Sequence, residues 1–266
     1  MTSVPPIESL LKRDRAIVLG ALLALTVLAW SYVVWFSASM SASMPAPMAN
    51  MPGTTMSPTI RPWTMAEFLV AFAMWSVMMV GMMTPSAAPM ILTYARVGRQ
   101  AAAHGKPLAP TFWFAAGYLL AWCGFAQFAA LAQGLLLQSG LITPMLASSS
   151  DVFGGLVLVA AGVYQWTPLK EGCLVQCQAP VGFIQRHGGF KRSGPASLVL
   201  GLGHGLYCIG CCWALMAILF VLGVMNLLWV AALSIWVLLE KVVPLGRLMA
   251  RGLGLVLVAA GIILMV

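Results

Sequence analysis

Seven long apolar runs dominate this sequence and constrain its fold more than any other feature. A helix that crosses a bilayer needs about 20 apolar residues. Hydrophobic residues make up 61% of the 266-residue chain and charged residues 8%, against roughly 25% charged in soluble domains. Only lipid can cover so much apolar surface, so we predict an all-α polytopic membrane helix bundle with about seven transmembrane helices. We place them at about 16–36, 65–92, 111–137, 151–168, 195–223, 226–241 and 248–266.

The basic residues predict which helix ends face the cytoplasm. If the helices alternate in direction, 13 of the 14 Lys and Arg residues fall on one side and only Arg61 falls on the other. Cytoplasmic loops carry such an excess, so we expect the N-terminus inside and the C-terminus outside. The net charge of +8 then reflects orientation, and we expect lipid rather than nucleic acid as a partner. Ser37-Ala38-Ser39 resembles a cleavage site, but the long apolar run before it favours a retained helix.

An internal repeat is indicated by segments 156–162 and 255–261, which both read LVLVAAG. Segment 79–83 (MVGMM) in the second span also lines up with segment 208–212 (CIGCC) in the fifth. The matches keep chain order, and two copies of three helices must cross the membrane in opposite directions. We therefore predict one leading helix and a 3+3 inverted-topology repeat, an arrangement in which transporters bind substrate near the midplane. The alternative is that both halves use the same few apolar residues.

The repeat divides the chain into three units. Residues 1–62 would form the N-terminal helix and a Met-rich outer loop, and residues 63–168 the first three-helix repeat. Residues 169–266 would contain a cytoplasmic Cys loop and the second repeat. Near the cytoplasmic end of the sixth span, Glu240 and Lys241 are expected to pair with each other at an interface.

Soft metal ligands share one face of the fifth predicted helix. His204, Cys208, Cys211 and Cys212 stand at positions i, i+4, i+7 and i+8, within an arc of roughly 100°. Thiolates and an imidazole on one face can converge on a soft metal ion. A single buried Cys usually behaves as a small apolar residue, but three Cys within five residues, beside a His, favour a metal or redox role.

Methionines form a second group of soft ligands in the second predicted helix, which we expect to break between Thr84 and Pro85. Thioethers suit Cu(I) and Ag(I) and bind Zn(II) poorly, although Met also fills apolar cores. Because these methionines align with the Cys motif, they are candidate ligands. The candidates are Met78, Met79, Met82 and Met83.

Two loops add further sulfur. The outer loop after the first helix is polar and Pro-rich, with no core in which to bury Met, so its methionines are typical of a Cu(I)-collecting segment; a loop lying on the lipid surface is the alternative. In the inner loop, one helical turn would put Cys173 and Cys177 on the same side. Cytosolic thiols stay reduced, which favours a metal or exchange role over a disulfide. The outer methionines are Met40, Met44, Met48, Met51 and Met56.

These motifs resemble a bacterial family described as predicted metal-binding integral membrane proteins, a copper-associated domain of unknown function. The resemblance covers about residues 63–266. It implies metal binding, with copper as the suggested metal, in the bacterial inner (cytoplasmic) membrane. It depends on the Met-Trp and Met-Met-x-Pro pattern at Met74, Trp75, Met82, Met83 and Pro85, on Cys173 and Cys177 with Lys170 and Pro180, and on the segment from His204 to Trp213.

The sequence therefore favours a Cu(I) permease, or a module that delivers Cu(I) to a membrane cuproenzyme, with a periplasmic metal-binding protein as another candidate partner. Ag(I), Hg(II) and Zn(II) are the alternative metals. A transmembrane thiol–disulfide oxidoreductase is a second reading, because Cys208-x-x-Cys211 has the required spacing, but the aligned copy carries Met, which forms no disulfide. A metal-free structural subunit is the third. No acid pair, nucleotide loop or nucleophile triad occurs, which favours a non-enzymatic role.

Overall fold

The described part of the chain is helical throughout. The computed structural model describes residues 7–43, 63–143 and 146–266, with side chains from 16 to 39 in the first range. Within these ranges the β pairing is limited to an isolated bridge between Ile142 and Ser148, so the predicted all-α class is confirmed. The helices are α1 (Ile7–Ser43), α2 (Met65–Ala103), α3 (Thr111–Gln138), α4 (Asp151–Tyr164), α5 (Pro168–Gln178), α6 (Pro180–Arg186), α7 (Gly194–Ala217), α8 (Leu219–Leu222), α9 (Leu227–Val242) and α10 (Gly246–Met265).

Among the described residues, five helices are long and apolar enough to cross a membrane. They are Ala16–Ser39 within α1, α2, α3, α7 together with α8, and α10. The predicted fourth span ends early and bends by 63° into α5, and this bent pair makes a sixth if it counts as one span. The predicted span at 226–241 forms α9, whose 16 residues give about 24 Å of helix, less than a hydrocarbon core of about 30 Å. The predicted count of seven is therefore not confirmed.

Helix α2 runs unbroken through two prolines. The predicted break after Thr84 is wrong, because the helix continues past Pro85 and Pro89. Around the prolines, hydroxyl groups donate to carbonyls of the preceding turn, from Thr84 at 2.6 Å and from Ser86 to Met83 at 2.9 Å. Such side-chain hydrogen bonds help a helix in apolar surroundings tolerate proline. The result is one continuous rod against which α1, α3 and α9 pack.

Helices α3 and α7 touch backbone to backbone. A Cβ added at Gly117 of α3 would overlap the carbonyl of Leu198, and one added at Gly201 of α7 would overlap the carbonyl of Phe114. Gly205, one turn further along α7, faces α3 in the same way. Small residues permit this approach between apolar helices, and it brings the Cys face of α7 next to α3.

Helices α4 and α10 pair through two identical octapeptides. Residues 155–162 and 254–261 both read GLVLVAAG. Gly155 packs on Gly261 and Gly162 on Gly254, and a Cβ added to any of the four would lie 2.6 to 2.9 Å from the partner's carbonyl oxygen. The pairing is antiparallel and reciprocal. It has the geometry that an inverted repeat requires of its third helix pair; the repeat as a whole stays a prediction.

We expect Gly201→Ala to destabilise the bundle. The added methyl has no space between α7 and the backbone of α3, and overpacking of this kind costs about 1–3 kcal/mol. Thermal unfolding of the purified protein in detergent, followed by the loss of the monodisperse peak in size-exclusion chromatography, measures the effect.

Gly203→Ala is the matched control. Gly203 lies on the same helix, and nothing stands within 4 Å of an added Cβ. Since Ala is a better helix former than Gly, this variant should melt at or slightly above the wild-type temperature. Equal melting temperatures for the two variants would contradict the close approach of α3 and α7.

Candidate functional site

Four cysteines from two helices, one half-buried and three buried, form a group that we call the thiol cluster: Cys177, Cys208, Cys211 and Cys212. The three on α7 are at most 2% exposed, and Cys177 of α5 interacts with Cys208 and Cys211. The thiols of Cys211 and Cys212 both donate to the carbonyl of Cys208, at 3.1 and 3.0 Å. All six cysteines of the chain are free, so the cluster contains reduced sulfur.

Helix α5 carries two cysteines to α7. Thr167 caps α5 by accepting a backbone N–H of the first turn at 3.3 Å, and Pro168 follows where no N–H donor is needed. The bend after α4 lays α5 along α7, so the Cys173 sulfur packs on the backbone of Gly210, 2.7 Å from the place of an added Cβ. The sequence predicted one helical turn in a separate cytoplasmic loop. The helix is present, but it brings Cys177 into the thiol cluster and leaves Cys173 half-buried beside it.

A buried ion pair holds α5 against α9. Lys170 Nζ lies 2.9 Å from Glu240 Oε2, and both side chains are 1% exposed. Glu240 also accepts from Trp236 Nε1 at 2.7 Å, while its backbone carbonyl accepts from Gln178 Nε2 at 2.8 Å. Gln165 provides a further acceptor for Lys170. Buried charges are tolerated when they are paired and further hydrogen-bonded, and this pair meets both conditions.

A closed ring of polar contacts surrounds the Cys208 sulfur. Lys241 Nζ lies 2.9 Å from that sulfur and 3.1 Å from Ser86 Oγ. The Tyr118 hydroxyl lies 3.2 Å from the same sulfur and donates to the Met83 carbonyl at 3.1 Å. Ser86 Oγ donates to that carbonyl at 2.9 Å and closes the ring. Side chains from α2, α3, α7 and α9 thus meet at one sulfur atom.

Three members of this ring were missed by sequence reasoning. Tyr118 and Ser86 stand in apolar helices without a distinguishing motif, so no local signal identifies them. Lys241 was counted as an orientation charge, and its expected pairing with Glu240 is wrong, because adjacent residues on a helix point about 100° apart.

The candidate methionines of α2 lie in the core next to the ring. Each is at most 1% exposed. The ring passes through the backbone carbonyl of Met83, and Ser234 of α9 donates to the carbonyl of Met82 at 3.3 Å. Since Tyr118 contacts both Met83 and Cys208, the two sulfur motifs that align in sequence are also neighbours in space. Metal ligation by the thioethers stays a prediction for all four, Met78, Met79, Met82 and Met83.

His204 lies one turn before Cys208 in an aromatic environment. It is 3% exposed, and its ring centroid lies 5.1 Å from that of Phe183, 5.8 Å from Tyr118 and 6.0 Å from Phe114. Its Nδ1 has no hydrogen-bond partner in the described part of the chain. Buried polar atoms without a partner are rare, so this nitrogen is free to bind a ligand.

The sulfur and nitrogen donors do not form a ready coordination site. Across residues 16–39, 63–143 and 146–266, no three His, Cys, Asp or Glu side chains are arranged to hold a metal ion. Within the thiol cluster this follows from Cys211 and Cys212, whose thiols turn back to the Cys208 carbonyl. Rotation about χ1 would redirect both sulfurs, so the cluster offers donors that binding must rearrange.

The outer methionines cannot be placed. Met40 lies in the last turns of α1, but its side chain falls outside the described residues. Met44, Met48, Met51 and Met56 lie outside them altogether. Their predicted role in collecting Cu(I) stays a prediction.

Comparison with known proteins identifies a family. No curated protein and no solved structure matches the chain. A family model described as a copper chaperone matches residues 72–264, a range that contains the thiol cluster, the ring around Cys208 and the ion pair that holds α5. The copper-associated family that the sequence motifs resemble is consistent with this match. The match extends over more than half of the sequence, and the chain belongs to this copper chaperone family, PpoB2.

Proposed function

We propose that the chain is a multi-pass protein of the bacterial cytoplasmic membrane that binds Cu(I) in the thiol cluster and delivers it to a partner. The observation that carries this proposal is the grouping of four reduced thiols from α5 and α7, three of them buried and one half-buried, inside an apolar bundle. Soft thiolates select soft cations such as Cu(I). The copper chaperone description of the family favours delivery over transport, with a membrane cuproenzyme as the recipient.

The arrangement of the thiols suggests a transfer route. Cys173 and Cys177 are half-buried on α5, whereas the three cysteines of α7 are enclosed. Cu(I) can pass between neighbouring sulfurs by ligand exchange. The incoming thiol loses its proton as its Cu–S bond forms, and the thiolate released from the broken Cu–S bond takes up a proton in turn. Cys173 interacts with Cys211, and Cys177 with Cys211 and Cys208, so each step joins adjacent residues. His204 and the α2 methionines enlarge the donor set at the inner end.

We expect the triple variant Cys208→Ala, Cys211→Ala, Cys212→Ala to lose Cu(I) binding. The three side chains supply most of the enclosed sulfur, and alanine leaves no donor in their place. Full-length protein in detergent, loaded anaerobically with Cu(I) and washed with a chelator, is measured by elemental analysis. We expect about one copper or more per wild-type chain and on the order of a tenth of that in the variant.

Cys123→Ala is the matched control for this experiment. Cys123 is a half-buried cysteine of α3, and no contact with the thiol cluster is described for it. Its replacement should leave copper content unchanged. Retention of copper by the triple variant would overturn the assignment of the thiol cluster, and an equal loss in the control would show general damage.

The docking of α5 can be tested separately through its buried lysine. Lys170→Met leaves the Glu240 carboxylate buried without its partner, and removal of one member of a buried pair costs about 3–5 kcal/mol. We expect α5 to separate from α9 and the alkylation of Cys177 to become at least about 10-fold faster, as measured by mass spectrometry of the modified peptide.

Glu171→Gln provides the matched control at the next position of the same helix. Glu171 pairs with Arg247 at 3.0 Å, but the two side chains are 39% and 52% exposed, and exposed pairs contribute at most about 1 kcal/mol. Alkylation of Cys177 should stay within about 2-fold of wild type. Equal rates in the two variants would show that the buried pair does not hold α5.

A further inference from the structure

Lys241 differs from an ordinary lysine at the end of a membrane helix. Such side chains usually extend to water and keep the ammonium group solvated. The Lys241 side chain is instead 7% exposed, and its ammonium nitrogen lies 2.9 Å from the Cys208 sulfur and 3.1 Å from Ser86 Oγ. The chain thus places a cation in contact with the thiol cluster.

The charges around this ammonium group do not neutralise it. The carboxylate of the adjacent Glu240 is paired with Lys170 at 2.9 Å, and that pair sums to zero. Among the described residues the ion pairs formed by Lys and Arg involve Lys170, Arg247 and Arg251, and Lys241 forms none with an acidic residue. Within the same residues, the thiol cluster is the group in contact with Lys241 that can supply its counter-charge.

The charge of a bound complex then depends on the metal. When two thiols lose their protons to solvent and form two metal–sulfur bonds, a monovalent ion gives a complex with a charge of −1, and a divalent ion gives a neutral complex. Together with the Lys241 ammonium the total is zero for the monovalent ion and +1 for the divalent ion. Buried net charge is costly in surroundings of low dielectric constant, so the lysine stabilises the first complex and not the second.

We propose that Lys241 is a charge-selectivity residue, which makes the thiol cluster favour monovalent soft cations such as Cu(I) and Ag(I) over divalent soft cations such as Hg(II). The inference rests on the proposed function, since it takes the thiol cluster as the metal site. Lys241 would act through its contact with the Cys208 sulfur, at a distance where unit charges interact strongly even at an effective dielectric constant of about 20.

The test compares Lys241→Leu with Lys241→Arg in the full-length protein in detergent. Leu removes the charge and carries no metal-binding atom, whereas Arg keeps the charge. Ag(I) and Hg(II) both favour linear coordination by two thiolates and differ in charge. Dissociation constants for each metal are obtained separately, by competition with a soluble thiol ligand. We expect Leu to weaken Ag(I) binding on the order of 100-fold and to leave Hg(II) binding within about 3-fold, and we expect Arg to keep most of the wild-type preference.

Equal weakening of Ag(I) and Hg(II) in Lys241→Leu would show that the lysine maintains the shape of the site and would overturn the inference, as would unchanged binding of both metals. A variant that fails to fold is replaced by Lys241→Gln, with the same expectation. Absence of Cu(I) and Ag(I) binding in the wild type would overturn the proposed function together with the inference, whereas wild-type binding without a charge effect would overturn the inference alone.

Discussion

The close approach of α3 and α7 is the constraint on which the site depends. Gly117 and Gly201 allow the two backbones to touch, and Tyr118 follows Gly117 directly, so its hydroxyl reaches the Cys208 sulfur at 3.2 Å. A larger residue at either glycine would increase the helix separation and break this contact. The packing of two apolar helices therefore determines the polar surroundings of a sulfur atom, and through Met83 it also determines the contact with α2.

Two neighbouring residues near the end of α9 show how the bundle accommodates charge. Glu240 faces α5 and forms a buried ion pair with Lys170, which fixes the helix that carries Cys177. Lys241 faces α2 and α7 and contacts Cys208. The first interaction assembles the thiol cluster, and the second sets its electrostatic potential. Both side chains are buried, although Val242 directly after them is exposed.

The sequence predicted the helical class and the clustering of cysteines on α7, because periodicity places residues on one face without any tertiary information. It did not predict the 63° bend after α4 or that α5 folds back on α7, where the contacts join residues distant in sequence, such as Lys170 and Glu240 of α9. Tyr118 and Ser86 were missed for the same reason: their importance comes from contacts between helices distant in sequence. The break expected in α2 was wrong: the helix continues through Pro85 and Pro89, and the hydroxyls of Thr84 and Ser86 beside Pro85 donate to backbone carbonyls.

In the two identical octapeptides, Gly155 corresponds to Gly254 and Gly162 corresponds to Gly261. Because the helices pair in opposite directions, Gly155 contacts Gly261 and Gly162 contacts Gly254. This is the geometry of an isologous interface, in which one surface recognises a second copy of itself, and here both copies belong to one chain. A substitution at one of these glycines therefore damages one of two equivalent contacts and leaves the other intact. The damaged contact can then be compared with the intact one in the same molecule.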